Sequence, residues 1–302
     1  MKNNKGFTLI EVMVVIVIIG ILTAIFVSRR QDATYQAEIA NGKKFALSLL
    51  TALPANFVSE WKFDGLTVSG SAATLADVKD TWGANDASSV NGGVVVRGGT
   101  DCISGNCLEF DGSDDFVTIP DNDSLDLNGN YTISFWAYNG VGTKTYPTLF
   151  NRAAQSSSNG FFWCYAGGTD KANIYYQWAN GSSYSSVSFA NVFKPNVWTF
   201  FVFTFNNSSK TLKLYKNGTY TNDPKTLTSA LSVDDGNLYF GTYNGSTSSY
   251  PFKGKIDEFR IFNEVLPISW IENEYFAGLD RLLAVGNISK GEYAQRVVDK
   301  NF

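Results

Sequence analysis

Asp257 and Glu258 stand side by side in Ile256-Asp257-Glu258-Phe259-Arg260. Two carboxylates aimed at one sugar, about 5 to 9.5 Å apart, are the usual apparatus for cutting a glycosidic bond. The surrounding residues alternate as in a β-strand, where neighbours point to opposite faces, so this pair is expected not to share a substrate. Histidine is absent from the 302 residues. Its absence removes the commonest general base and the commonest nitrogen ligand for zinc or copper, and with them Ser-His-Asp and Cys-His catalysis. The chain is therefore expected not to be an enzyme. Of three cysteines, Cys102 and Cys107 flank the short turn-like stretch Ile103-Ser104-Gly105-Asn106, which could bring their sulfurs together. In an exported protein this reads as a local disulfide, with two free thiols as the other reading; Cys164, beside Trp163, reads as a lone buried thiol.

Two further groups carry chemistry. Trp163, Tyr165, Tyr175, Tyr176 and Trp178 could supply the aromatic platform that a carbohydrate site requires, with Trp163 and Trp178 as its ligand-binding residues. Alternating aromatics in a strand also fit a buried core. Glu11 is the only charge between Phe7 and Val27. An ionised group in hydrocarbon costs about 2.5 to 3.5 kcal/mol on insertion scales, so something specific must repay it. Net charge is −4, from 24 basic and 28 acidic residues. With no basic stripe to neutralise phosphates, nucleic acid is not an expected partner.

These residues need elements to hold them. The apolar run from Phe7 is long enough to cross a bilayer at 1.5 Å rise per residue and too long for the core of a secretory signal. It continues without Pro through Gln31 to Leu53, where the pattern turns amphipathic, with Tyr35, Ile39, Ala46, Leu50 and Leu53 near helical spacing. Pro54 ends that helix. From Phe57 to Phe262, short alternating runs separated by Gly, Asn, Ser and Asp predict an antiparallel all-β sandwich. Tyr131, Ile133, Phe135 and Ala137 mark the core face of one strand. Trp198 to Phe205 reads as a central strand, and Asn217-Gly218 as a tight hairpin turn. Ser269-Trp270-Ile271-Glu272 and Ser289-Lys290-Gly291-Glu292 are capping-box patterns, each expected to open a helix.

Lys5-Gly6-Phe7-Thr8-Leu9-Ile10-Glu11-Val12 closely resembles the start of type IV pilins and pseudopilins. The resemblance implies cleavage by a prepilin peptidase between Gly6 and Phe7, methylation of the new N-terminus, and an assembly role for Glu11 against the amino group of the next subunit. An ordinary single-span anchor would leave Glu11 unexplained.

A second resemblance runs through Trp61-Lys62-Phe63-Asp64, Asp80-Thr81-Trp82-Gly83-Ala84-Asn85-Asp86, the block Leu108 to Pro120, Leu214 to Gly218, and Phe252 to Asn263. These pieces are similar, in order, to the laminin-G-like, concanavalin A-like jelly rolls. Ala87 departs from the family pattern, as does the stretch Ser156 to Ser188. The fold includes glycosidases, but their Glu, Asp and Glu at alternate positions of one strand face are missing. The resemblance also implies a structural calcium site at Asp64, Asp80, Asn85 and Asp257, whose oxygens suit that ion; acids that only solvate loops are the other reading.

The expected organisation is a leader peptide at 1–6, a pilin helix at 7–53 with its transmembrane part at 7–27, a laminin-G-like sandwich at 54–268 and a C-terminal helical hairpin at 269–302. The hairpin resembles short oligomerisation modules; a lid on the sandwich or on the pilin helix is the other reading. The expected function is a structural filament subunit that displays an adhesive, carbohydrate-binding domain. Its partners would be other pilin subunits, the prepilin peptidase and a glycan or protein receptor. It would lie in the cytoplasmic membrane before assembly and on the cell surface after it. The alternatives are a pseudopilin of a type II secretion system and a membrane-tethered carbohydrate-binding module.

Overall fold

The computed structural model describes residues 56–153, 162–180, 183–227, 236–248 and 250–299. Gly6, Phe7, Glu11 and the helix expected over 7–53 lie outside the described residues.

Alternation of apolar and polar side chains builds two antiparallel sheets. The nine-stranded sheet runs Thr219–Tyr220, Thr211–Lys216, Trp198–Asn206, Tyr131–Asn139, Lys253–Phe262, Asn106–Asp111 and Val95–Gly98, with Phe57–Trp61 also paired to Lys253–Phe262 and Lys225–Thr226 to Thr211–Lys216. The seven-stranded sheet runs Ser183–Phe189, Asn173–Asn180, Phe162–Gly167, Thr148–Ala153, Asn237–Phe240, Phe116–Ile119 and Ser89–Asn91. Their inner faces meet in one aromatic core. Phe135 of the larger sheet packs edge-on against Phe150 of the smaller at 5.3 Å, and Phe259 lies 4.7 Å from Phe240. The expected sandwich is present, and Trp198–Asn206 is central in its sheet as expected. Asn217 and Gly218 adopt φ of 51° and 76°, the left-handed pair that a two-residue hairpin turn requires.

Tyr131, Ile133, Phe135 and Ala137 face the core, but Thr132, Ser134 and Trp136 on the other side of that strand are buried too. The C-terminal helices explain this. Helix α1, Ile268–Ala284, lies over the outer face of the nine-stranded sheet: Tyr275 stacks on Trp136 at 5.8 Å, and Trp270 meets Phe262 at 5.0 Å. A Cβ on Gly278 would come within 2.2 Å of the Trp136 ring, so only glycine lets the helix approach this closely. Ile271, Tyr275, Leu279 and Leu282 form the buried stripe read from the sequence.

The two capping expectations divide. Ser289 accepts a hydrogen bond from the Glu292 N–H at 3.1 Å and opens α2, Lys290–Asp299. Ser269 does not open α1, because the helix begins at Ile268 with Pro267 at its cap. The Pro267 carbonyl accepts from the N–H groups of Trp270 and Ile271; proline's fixed φ preorganises such an entry, and the serine falls inside the first turn. Tyr293 ties the helices together by donating to Asp280 at 2.7 Å.

Candidate functional site

The strand that carries Asp257 and Glu258 breaks its own alternation. Its core-facing residues are Ile256, Phe259 and Ile261, a spacing of three and then two. Pairing to Tyr131–Asn139 shifts register between Asp257 and Arg260, and Glu258 takes φ of 51°. One extra residue is thus inserted as a β-bulge, and both carboxylates turn to the outer side. The expectation that they face opposite ways is corrected. They are nevertheless 0% and 2% exposed, so a glycan would have no access to the pair.

The disulfide joins Cys102 and Cys107 as expected, with Cα atoms 5.5 Å apart, and Cys164 is a buried thiol. The closed loop sits against the bulge. Ile103 and Ser104 donate their N–H groups to Asp257 Oδ2 at 2.9 and 3.1 Å, and Asn106 donates to Asp64 Oδ1 at 2.7 Å. Asp257 Oδ1 is buried with no hydrogen-bond partner. Burial pushes the Asp257 carboxyl well above its ordinary value, and the neighbouring Glu258 adds to this. The Asp64 carboxyl is also raised, by burial first, against the opposing Asn106 hydrogen bond, with Glu258 again adding.

The four residues expected to hold calcium do not converge. Asp80 Oδ1 accepts from the N–H groups of Glu60, Trp82 and Gly83, and Oδ2 accepts from that of Asn85; this carboxylate organises a loop. Asn85 is buried, donating to Ser59 and Ser124. Asp64 and Asp257 remain, together under the disulfide loop, with Glu258 as an unforeseen third carboxylate beside them. The orphaned Asp257 oxygen fits a hard cation, while Glu258 is already paired with Arg260 and Arg281. Elsewhere among the described residues, Asp111, Asp114 and Asp115 place one oxygen each within 4.8 Å of one another.

The second feature lies on the outer face of the seven-stranded sheet. In Phe162–Gly167, Phe162, Cys164 and Ala166 enter the core, and Trp163 and Tyr165 point the other way. Trp163 packs 4.2 Å from Tyr165 and 4.8 Å from Tyr243, and Tyr165 stacks nearly parallel on Tyr175 at 4.9 Å. Tyr250 and the 43% exposed Tyr146 complete the cluster. Trp163 is only 8% exposed and donates its indole N–H to Thr148 Oγ1 at 2.7 Å. Trp163 and the 9% exposed Tyr165 are the floor of the cluster, and Tyr146, Tyr175, Tyr243 and Tyr250 form its rim. Burial, with Tyr175 and Tyr146 adding, pushes the Tyr165 hydroxyl up to about 12.

The Trp178 side chain lies outside the described residues. The backbone there pairs with Phe162, and Gln177 pairs with Trp163. Tyr176, also offered as a platform residue, is buried in the core and bonded to Tyr131. Sequence reasoning missed Tyr146, Tyr243 and Tyr250 because they arrive on loops without periodicity. Lys144 straps two of those loops together, donating to the carbonyls of Ser248 at 2.9 Å and Thr247 at 3.5 Å.

Comparison with known proteins agrees with both halves of the chain. Residues 111–272 match the concanavalin A-like lectin/glucanases superfamily, and residues 1–27 match the prokaryotic N-terminal methylation motif. A fimbrial protein of Neisseria meningitidis serogroup B is 35% identical over 76 residues, which are 25% of this chain and 45% of that protein. A fimbrial protein of Pseudomonas aeruginosa is 46% identical over 52 residues, 17% of this chain and 34% of that one. The chain thus matches less than half the length of these relatives. Among solved structures, the receptor binding domain of botulinum neurotoxin mosaic serotype C/D gives a TM-score of 0.56 at 18% identity, covering 76% of this chain and 52% of that one. Domain 4 of AbnA, a GH43 extracellular arabinanase from Geobacillus stearothermophilus, solved in complex with arabinotriose, gives 0.53 at 19% identity, covering 72% of this chain and 97% of that one. These likenesses concern the fold.

Proposed function

The chain belongs to the concanavalin A-like lectin/glucanases superfamily, and on that premise, with its type IV pilin-like N-terminal region, we propose a non-catalytic filament subunit that displays a carbohydrate-binding sandwich. Processing between Gly6 and Phe7 would release it from its leader in the cytoplasmic membrane, and assembly with other pilin subunits would carry the sandwich to the cell surface. The observation that carries the adhesive part is the tyrosine-rimmed cluster around Trp163 on the outer sheet face. Stacking of sugar rings on such aromatics is weak per site, and a filament repeats the site many times, so avidity can hold a surface at millimolar monomer affinity.

Filaments sheared from the native host are expected to contain a chain that starts at methylated Phe7, and to bind on a glycan array where the detergent-solubilised monomer does not. Retention of residues 1–6 in assembled protein would overturn the pilin reading. An array with no bound glycan would overturn the lectin reading. Fibres confined to the cell envelope would make the protein a secretion pseudopilin.

We further propose that Asp64 and Asp257, with Glu258 beside them, hold calcium. The ion would supply the positive charge that the buried Asp257 Oδ1 lacks. Calcium is expected to raise the melting temperature, through binding to the folded state alone, and a chelator to reverse the gain. Asp257→Asn should remove the response while keeping an acceptor for the Ile103 and Ser104 N–H groups. Melting that ignores calcium and chelator in the parent would eliminate the site.

A further inference from the structure

We infer that the strand Ser183–Phe189 is an interface between copies of this chain, pairing antiparallel with the same strand of a second copy. The inference goes beyond the lectin reading and needs no glycan. Ser183–Phe189 ends the seven-stranded sheet. One side of it pairs with Asn173–Asn180 over all seven residues without a register shift, and among the described residues no strand pairs with the other side. Such an edge is a row of unpaired N–H and C=O groups, which proteins ordinarily shorten, cover, bulge, or guard with charge or proline. The other edges of this sandwich show those devices. Val95–Gly98 is covered, since Gly70 donates to the Val96 carbonyl at 2.7 Å and Val96 donates to that of Ser71 at 2.9 Å. Phe57–Trp61 is closed by Asp80, whose Oδ1 accepts from the Glu60 N–H at 3.0 Å, and by Thr81, whose N–H donates to the Glu60 carbonyl at 2.8 Å. Thr219–Tyr220, Lys225–Thr226 and Ser89–Asn91 are only two or three residues long. Ser183–Phe189 has none of these guards: its sequence, Ser-Tyr-Ser-Ser-Val-Ser-Phe, holds no charge and no proline, and it offers about 24 Å of edge.

Charge and side-chain size select the occupant. In a two-fold contact the residues near the axis meet their own kind, so any charge there would oppose a like charge. Reversed against itself, this strand sets no charge against another in any register. Lys225, which lies over the Phe189 ring at 5.4 Å, is already paired with Asp223 at 2.6 Å, so that end of the strand adds little repulsion. A foreign extended peptide would instead need pockets for its alternate side chains, and the exposed Ser186 and Ser188 are too small to form any. Full overlap of two such strands centres on Ser186 and joins the seven-stranded sheets of both copies into one. On the pilin reading, successive subunits of a filament meet head to tail, which a two-fold contact does not do. Pairing at this edge would therefore link subunits of neighbouring filaments side by side.

The test uses the full-length chain in detergent micelles. Alternate residues of 183–189 point their N–H groups to the bare edge, and in the parent their hydrogen exchange is expected to slow at least tenfold between dilute and concentrated protein. Exchange across Val95–Gly98, already covered, should not respond to concentration. Ser186→Cys is expected to give a disulfide-linked dimer under a mild oxidant, since paired Cβ atoms at the axis would lie about 4.5 to 5.5 Å apart. Its yield should exceed by at least tenfold that of Ser88→Cys, beside Ser89–Asn91 at the opposite end of the sheet. Ser186→Lys, at an exposed position that leaves the core alone, should abolish the concentration-dependent protection. Edge amides that exchange equally fast at both concentrations overturn the inference and leave the pilin and lectin readings standing. Equal cross-linking at positions 186 and 88 marks collision within micelles and overturns it too, as does protection that survives Ser186→Lys.

Discussion

Arg260→Ala is expected to destabilise the sandwich by about 3 to 5 kcal/mol, the usual cost of removing one partner from a buried ion pair. Arg260 is 7% exposed and binds Glu60 at 2.8 Å, Glu274 of α1 at 2.9 Å, and Glu258. Its loss leaves three carboxylates at the seam between helix and sheet without their guanidinium. Thermal unfolding should show a midpoint lower by about 10 °C, since each kcal/mol is worth about 2 to 4 °C in a domain of this size. The pH dependence gives a second readout. Burial raises the Glu60 carboxyl, but Arg260 outweighs this by charge and hydrogen bond and holds it below its ordinary value of 4.5. Stability from a depressed carboxyl is present above the unfolded value and is lost as pH falls through the folded one. The gap between parent and variant should therefore be widest near neutrality and narrow below about pH 4.5. A variant with parental melting at pH 7 would show that the cluster is solvated and dispensable.

Glu11→Ala is expected to abolish surface filaments, at least tenfold fewer by immunogold labelling, while the protein still accumulates in the cytoplasmic membrane. The substitution removes a charge worth about 2.5 to 3.5 kcal/mol against insertion, so insertion itself should not suffer. What it removes, on the pilin reading, is the partner for the methylated amino group of the neighbouring subunit. Glu11→Gln keeps size and polarity without the charge and should fail equally if the ion pair is the reason for the residue. Normal filaments from either variant would reject the assembly role.

Local features of the chain were legible before any coordinates. A methylation motif is a contiguous string, a two-residue hairpin needs only Asn217-Gly218, and Cys107 follows Cys102 by five positions. The alternation of Tyr131, Ile133, Phe135 and Ala137 marked a core face because strand geometry repeats every two residues. Parity arguments failed where that repeat was broken or not followed far enough. One inserted residue at Glu258 reversed the relation between Asp257 and its neighbour. Composition groups Tyr176 with Trp163, yet Tyr176 lies in the core, bonded to Tyr131, while Trp163 points the other way. The calcium set was carried over by motif position, and position does not show that Asp80 has already committed both oxygens to backbone N–H groups.

By itself the sequence determined the N-terminal methylation motif, the alternating strands of the sandwich, the disulfide and the amphipathic stripe of α1, because each depends on spacing within a few residues. Tertiary structure alone decided which acids share a neighbourhood, that α1 covers the outer face of the nine-stranded sheet, and that Tyr146, Tyr243 and Tyr250 gather around Trp163 on the other. Those outcomes depend on residues such as Tyr146 and Tyr243, or Asp64 and Asp257, that lie far apart in the chain. Their proximity is set by packing of the whole core, to which no short window of sequence has access.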